Sequence, residues 1–265
     1  MKKVKYVFVV LVYKNILDLQ ECIESIQAKV KSNKIIVVNA YFDDKTMQKA
    51  KEIADKYFVD FINIDNKGYS FGNNRGIEYA RKAYDFEFVI VSNPDVTIEK
   101  FNDLDFSTSF KYDIIAPEII SASGRKQNPM AITQNLFGQW LEYMGFKYNL
   151  KYLTYIGILI SKIIRCIFLL VKKNHVCRIF GAHGSFVILS RKAVNRLYPI
   201  YDENIFLFAE ESVLAMKARK ANLLTCYYPK ISINHKEDGS MKLSNLVLND
   251  ELKKANIYYY EHYVL

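Results

Sequence analysis

Three polar clusters along the chain carry residue types suited to phosphate binding, metal binding and proton transfer. Residues 66–76 read NKGYSFGNNRG. Glycines that open a helix let a ligand approach the backbone closely and aim free amides at an anion, which makes Asn66, Gly68 and Asn74 candidate ligand contacts. The spacing is not the GxGxxG dinucleotide pattern, and a tight turn with Asn caps has the same composition. Residues 92–96 read SNPDV. Asp95, fixed by Pro94, is suited to a divalent cation that keeps its other positions for phosphate oxygens and water, with Asn93 beside it; a plain Pro-Asp turn is the alternative. Residues 201–211 read YDENIFLFAEE. Glu210 and Glu211 at a helix start either answer the helix dipole or supply a general base beside a carboxylate that orients an acceptor, with Asp202 in the same run.

The elements that must hold these clusters follow from hydrophobic periodicity. Residues 5–13 (KYVFVVLVY) form a continuous apolar run of β-branched and aromatic residues, which predicts a strand buried on both faces. Asn15 is placed to cap a helix carrying Leu19, Ile23 and Ile26, and residues 34–38 supply a second strand. The alternation continues with a helix marked by Met47, Ala50, Ala54 and Tyr57, a strand at 58–64, a helix at 76–83 and a strand at 86–91. Such a rhythm predicts a doubly wound α/β sheet that binds ligands at the carboxyl ends of its strands, where all three clusters fall. A glycine-punctuated strand is expected at 180–189 and a closing helix at 245–263.

Residues 134–178 break the rhythm and read as an insertion in a single domain spanning 1–265. Within it, residues 152–171 (YLTYIGILISKIIRCIFLLV) have the length of a membrane span but carry Lys162 and Arg165 near the middle. On a helical wheel Thr154, Gly157, Ser161, Lys162, Arg165 and Lys172 share one stripe opposite a broad apolar face. Lys147, Lys151, Lys172, Lys173 and Arg178 flank it. The pattern suits a helix lying on an anionic membrane surface; packing on the domain with the basic stripe to water, and spanning, are the alternatives.

The chain has 265 residues, 51% hydrophobic and 25% charged, a globular composition that excludes collagenous, mucin-like and wholly disordered classes. A formal charge of +9 favours an anionic partner: nucleic acid, acidic lipid or a phosphorylated small molecule. The basic residues gather around an apolar insertion instead of alternating with aromatics, which argues against nucleic acid. Cys22, Cys166, Cys177 and Cys226 form no CxxC pair and no signal peptide precedes them, so a reduced, cytoplasmic chain with buried cysteines and no zinc site is expected.

Order and spacing of the clusters together resemble family 2 glycosyltransferases of the GT-A fold, and within them the bacterial branch that includes rhamnosyltransferases of cell-surface polysaccharide assembly. The resemblance runs nearly end to end. It rests on the opening strand with Tyr13 and Asn15, the NxGxxxGxNxG pattern from Asn66 to Gly76, and Asn93 to Val96. It continues through Gly181-Ala182 and Arg191, the acidic run from Asp202 to Glu211, and His235 before Ser240. It implies a GT-A mixed sheet flanked by helices, a nucleotide pocket along 66–76, and Mg2+ or Mn2+ on Asp95 with His235 reaching the metal or the diphosphate. It further implies Glu211 as base of an inverting transfer from a UDP- or dTDP-sugar to a polyprenyl-diphosphate-linked saccharide at the inner face of the cytoplasmic membrane. Val38 stands where the family has a nucleobase-contacting Asp, leaving Asn39 or Asp43 for that contact. Glu211 replaces the usual Asp, and Val213 the second Asp of the motif. A catalytically degenerate relative that binds a sugar nucleotide or a partner transferase is the competing expectation.

Overall fold

The computed structural model describes residues 2–102, 112–171, 175–237 and 245–265. Lys172, Lys173 and Ser240, invoked above, lie outside the described residues. The chain opens with β1 (Lys2–Val12), α1 (Leu17–Lys29), β2 (Asn33–Ala40), α2 (Asp44–Lys56), β3 (Asp60–Ile64), α3 (Tyr69–Ala83) and β4 (Tyr84–Ser92). It continues with β5 (Val96–Phe101), β6 (Ile114–Ser121), α4 (Leu136–Lys147), α5 (Lys151–Val171), β7 (Cys177–Ile179) and β8 (Phe186–Ser190). The rest is α6 (Arg191–Leu197), α7 (Glu210–Lys220), β9 (Thr225–His235), α8 (Asn245–Tyr259) and a π-helical turn (Tyr260–Val264).

The described strands make one nine-stranded sheet in the order β3-β2-β1-β4-β8-β6-β9-β5, with β7 also on β9. Its first four strands are parallel, as the alternation predicts. Past β4 the sheet turns mixed: β8 runs antiparallel to β4 and to β6, while β9 runs parallel to β6 and antiparallel to β5 and β7. β1 explains why the sheet needs helices on both sides. Tyr6, Phe8, Val10 and Val12 face one core with Leu19, Ile23 and Ala50, and Val7 and Val9 face the other with Ile77, Val194 and Leu214. Period-two alternation thus sends Tyr6 to Val10 and Val12 into one core or the other, with Leu11 and Tyr13 half-buried.

Several boundaries differ from expectation. The third helix starts at Tyr69, not 76, so most of the glycine cluster is helical. Of the strand expected at 180–189 only the part from Phe186 is strand, β8; residues 180–185 lie outside the named strands, and the short β7 precedes them. Asn15 does not cap α1; Ile16 holds the cap position without a side-chain hydrogen bond.

The insertion is a helical hairpin, α4 and α5, that meets α8 and the π-helical turn at its base. Tyr143 stacks on Tyr260 at 4.3 Å and donates to Glu261 at 2.8 Å, and Gln139 donates to Tyr259 at 3.1 Å. The hairpin is inverted relative to an ordinary soluble one. Its small and polar stripe faces inward: a Cβ on Gly157 would lie 2.5 Å from the Gly138 carbonyl oxygen, and Asn135 donates to Ser161 at 3.1 Å. Its apolar stripe faces outward, with Ile156, Leu159, Ile163, Ile167 and Leu170 exposed. Arg165 departs from the wheel reading. Its Nε donates to the Pro129 carbonyl at 2.7 Å and a terminal nitrogen donates to the Lys126 carbonyl, so it points into the domain and not toward a surface. Two cysteines depart too: Cys166 is exposed on α5 and Cys177 is half-buried, while Cys22 and Cys226 are buried as expected.

Candidate active site

β4 ends at Ser92, and the chain turns through Asn93, Pro94 and Asp95 before entering β5. The turn is pinned by Asn93 N–H donating to the Ser185 carbonyl at 2.9 Å and by Lys236 N–H donating to the Asp95 carbonyl at 3.0 Å. Val96 pairs with His235 across the β5–β9 ladder, which brings the imidazole to the carboxylate: His235 Nε2 lies 3.4 Å from Asp95 Oδ2. Asp95 is 2% exposed, and its Oδ1 is buried without a hydrogen-bond partner. An unpartnered carboxylate oxygen at that depth costs stability unless a ligand meets it.

His235 Nδ1 lies 2.7 Å from Gln127 Oε1. A cation between the imidazole and the carboxylate would meet the Asp95 oxygen that is otherwise left without a partner. The residues present therefore fit a divalent metal. Among the described residues no group of three His, Cys, Asp or Glu side chains converges, so such an ion would take two protein ligands and fill its shell with phosphate oxygens and water.

Glu211 is linked to this pair through residues 183–185, His183 lying 5.8 Å from His235 ring to ring. Glu211 Oε1 accepts from the Gly184 backbone N–H at 3.2 Å, and a Cβ at residue 184 would sit 2.8 Å from the same oxygen, so a side chain there would push the carboxylate aside. Gly184 is one residue from Ser185, which pins the Asp95 turn, and next to His183, whose Nδ1 lies 2.9 Å from Ser185 Oγ. Residues 183–185 thus fix Glu211 and Asp95 against a common frame. Glu210 is different: it is 5% exposed, its Oε1 has no partner, and burial followed by the neighbouring Glu211 charge pushes its carboxyl up to about 8. Both carboxylates sit in the first turn of α7, entered through Phe208 and Ala209 at φ of 73° and 62°.

The other sequence-predicted residues divide between cleft and scaffold. Asn66 Oδ1 accepts from Gly68 N–H at 3.3 Å, and Gly68 has φ +96° with the Phe206 carbonyl oxygen 2.3 Å from where its Cβ would be. Tyr69 N–H donates to that carbonyl at 2.8 Å, clamping the loop before α7 onto the start of α3. Asn74 is a correction. It is fully buried, donates to the Tyr201 carbonyl at 2.9 Å and to Glu203 at 3.0 Å, and accepts from Tyr201 N–H at 3.1 Å, so it braces the acidic run and has nothing left for a ligand. Asp202 is another. Its carboxylate accepts from Asn204 N–H at 3.0 Å and Nδ2 at 2.9 Å, and from Tyr258 and Tyr263 hydroxyls at 3.0 and 2.7 Å. Partial burial raises its pKa, but these four bonds outweigh that and hold it below the usual range. It anchors the C-terminal helix and is not available for proton transfer.

At the far end of the sheet, Tyr13 and Phe42 meet edge to face at 5.9 Å with Lys14 over both rings, and Asn39 donates to Asn63 at 2.7 Å between β2 and β3. Asp43, the alternative to Asn39, caps α2 by accepting from Thr46 N–H at 2.7 Å. Asn15 donates to Asp18, and Lys236 reaches Asp18 at 2.7 Å and Glu21 at 2.6 Å, which ties the β1 exit to the residue after His235.

A cleft of about 660 Å³ opens beside the Asp95–His235 pair. Arg125, Lys126 and Arg165 line it together with His183, Gln127, Glu237, Met130, Leu169 and Tyr227. Sequence reasoning missed His183, Gln127 and Arg125. The GAHGS break inside an apolar strand pattern could have flagged His183; Gln127 and Arg125 carry no local signal.

No family model matches the chain. It is 27% identical over 165 residues to the low-salt glycan biosynthesis hexosyltransferase Agl10 of Haloferax volcanii, a match covering 60% of this chain and 45% of the relative. The crystal structure of GalNAc-T7 with UDP, GalNAc and Mn2+ superposes with a TM-score of 0.59 at 12% identity, covering 89% of this chain and 44% of that one. The chain thus spans less than half the length of either protein. The mixed sheet with helices on both faces is the GT-A fold, and the hexosyltransferase relative and the shared fold together support a GT-A glycosyltransferase.

Proposed function

We propose that the chain is an inverting glycosyltransferase that moves a hexose from a nucleoside diphosphate to a hydroxyl of a lipid-linked saccharide, at the inner face of the cytoplasmic membrane. The observation that carries the reading is the buried, unpartnered Oδ1 of Asp95 beside His235, with residues 183–185 linking that pair to Glu211. Asp95 and His235 would hold Mg2+ or Mn2+, which supplies charge neutralisation for the departing diphosphate. Gly184 N–H holds Glu211 Oε1 and leaves Oε2 to take the proton from the acceptor hydroxyl. The acceptor oxygen attacks the anomeric carbon from the face opposite the diphosphate, the bond to the diphosphate breaks, and its electron pair leaves with the nucleotide. Glu211 ends protonated and no covalent sugar-enzyme intermediate forms. Glu210, held up by burial, stays neutral beside it and keeps a second negative charge out of the site.

The UDP and Mn2+ bound by GalNAc-T7 and the hexosyltransferase activity named for Agl10 support a nucleotide-sugar donor and a divalent ion. The Tyr13–Phe42 pair is suited to one face of a pyrimidine and the Asn39–Asn63 amides to its edge. The outward apolar stripe of α5 supports a peripheral membrane seat: α5 is long enough to cross a bilayer, but Arg165 ties its middle to the domain, so it lies in the interface. The test is to incubate the protein with UDP- and dTDP-hexoses and a lipid-linked saccharide and read the anomeric configuration of the product by NMR. Inversion supports the reading. Retention refutes the lone-base mechanism, and donor binding without product favours the degenerate alternative.

A further inference from the structure

We infer that the cleft between α5 and residues 125–130 is a subsite for the diphosphate of a membrane-anchored acceptor, with the apolar tail leaving over α5; the inference rests on the transferase reading. Three cations line the cleft, more than the reaction centre needs. Arg165 commits two of its five N–H donors to the Pro129 and Lys126 carbonyls, which leaves the rest of a rigid guanidinium turned into the cavity. Arg125 is mostly exposed and only 3.9 Å from Glu237, a weak pairing that an anion can displace. Lys126 binds Glu118 along the same wall.

The lining is also partly apolar. Met130 and Leu169 border the cavity, and Leu169 stands one turn beyond Arg165 on α5, followed by Leu170, 83% exposed at the edge of the outward stripe. A ligand with a charged head and a hydrocarbon tail satisfies both parts of the lining, whereas a soluble phosphate satisfies only one. His183 and Gln127 line the same cleft, Gln127 holds His235 and Gly184 beside His183 holds Glu211, so a sugar carried on that head would extend toward Glu211. The α5 hairpin thereby joins two tasks: its outer face meets lipid and its Arg165 side receives the head group that lipid presents.

The experiment uses the full chain in EDTA, so that the metal-dependent donor site is silent, and titrates it calorimetrically with farnesyl diphosphate, inorganic diphosphate and farnesol. Farnesyl diphosphate is expected to bind at least tenfold more tightly than either of the others. Arg125→Ala and Leu169→Ser are each expected to weaken it at least fivefold. Equal binding of farnesyl and inorganic diphosphate would reduce the cleft to a plain anion site and overturn the proposal. A raised donor KM in Arg125→Ala would reassign it to the donor diphosphate. If no nucleotide sugar is hydrolysed yet farnesyl diphosphate binds as expected, the transferase reading fails and the subsite stands.

Discussion

In the proposed mechanism Asp95 would act through one oxygen. Its Oδ1 is buried and unpartnered, and its Oδ2 faces an imidazole whose other nitrogen is already held by Gln127. Asp95→Asn keeps the size and removes the charge, so donor hydrolysis should be abolished while the fold, read by circular dichroism, is kept. Glu211→Gln should retain donor binding and lose transfer by roughly 10²- to 10⁴-fold, the usual contribution of a general base. Glu210 is predicted to differ in kind. Its folded pKa is raised by burial and by Glu211, so between the ordinary carboxylate range and about 8 the folded state holds a proton that the unfolded state has lost. Stability from this group therefore falls as pH rises through that window. Glu210→Gln should flatten the decline in melting temperature between pH 5 and 8, with a smaller loss of transfer than Glu211→Gln. A steeper decline in the variant would contradict the buried neutral carboxyl.

The α4–α5 hairpin makes its prediction through its face, not its charges. Replacing Ile156, Leu159, Ile163 and Ile167 by Ser should abolish co-sedimentation with anionic vesicles and leave soluble-donor hydrolysis intact, because these side chains point away from the cleft. Lys162→Gln should weaken vesicle binding modestly, on the order of 1 kcal/mol. A wild-type chain that dimerises without binding vesicles would instead make this face a subunit contact. At the C-terminus, Asp202→Ala strips acceptors from Tyr258, Tyr263 and Asn204 and should cost about 1–3 kcal/mol in urea unfolding. The sequence revealed these elements unevenly. Apolar runs such as β1 and the repeating strand-helix units are periodic and local, so they were legible. The inward turn of Arg165 was not, because a helical wheel reports which residues share a stripe and not which side of the stripe the domain occupies.

For the molecule as a whole, the mixed half of the sheet and residues 183–185 tie Asp95, His235, His183 and Glu211 together. The residue types in the three clusters pointed to phosphate, metal and base chemistry. Their division of labour did not show, since Asn74 and Asp202 share motif positions with true cleft residues yet spend every polar atom on the scaffold. His183 and Gln127 reach the cleft through long-range pairing alone. The measurement that tests the site most directly is nucleotide release from a panel of UDP- and dTDP-hexoses, in Mn2+ and in EDTA, by wild type and Asp95→Asn. One donor should be hydrolysed by wild type in Mn2+ only, with Asp95→Asn silent throughout. Hydrolysis that survives EDTA, or an Asp95→Asn variant as active as wild type, would contradict a metal-assisted transferase centred on Asp95.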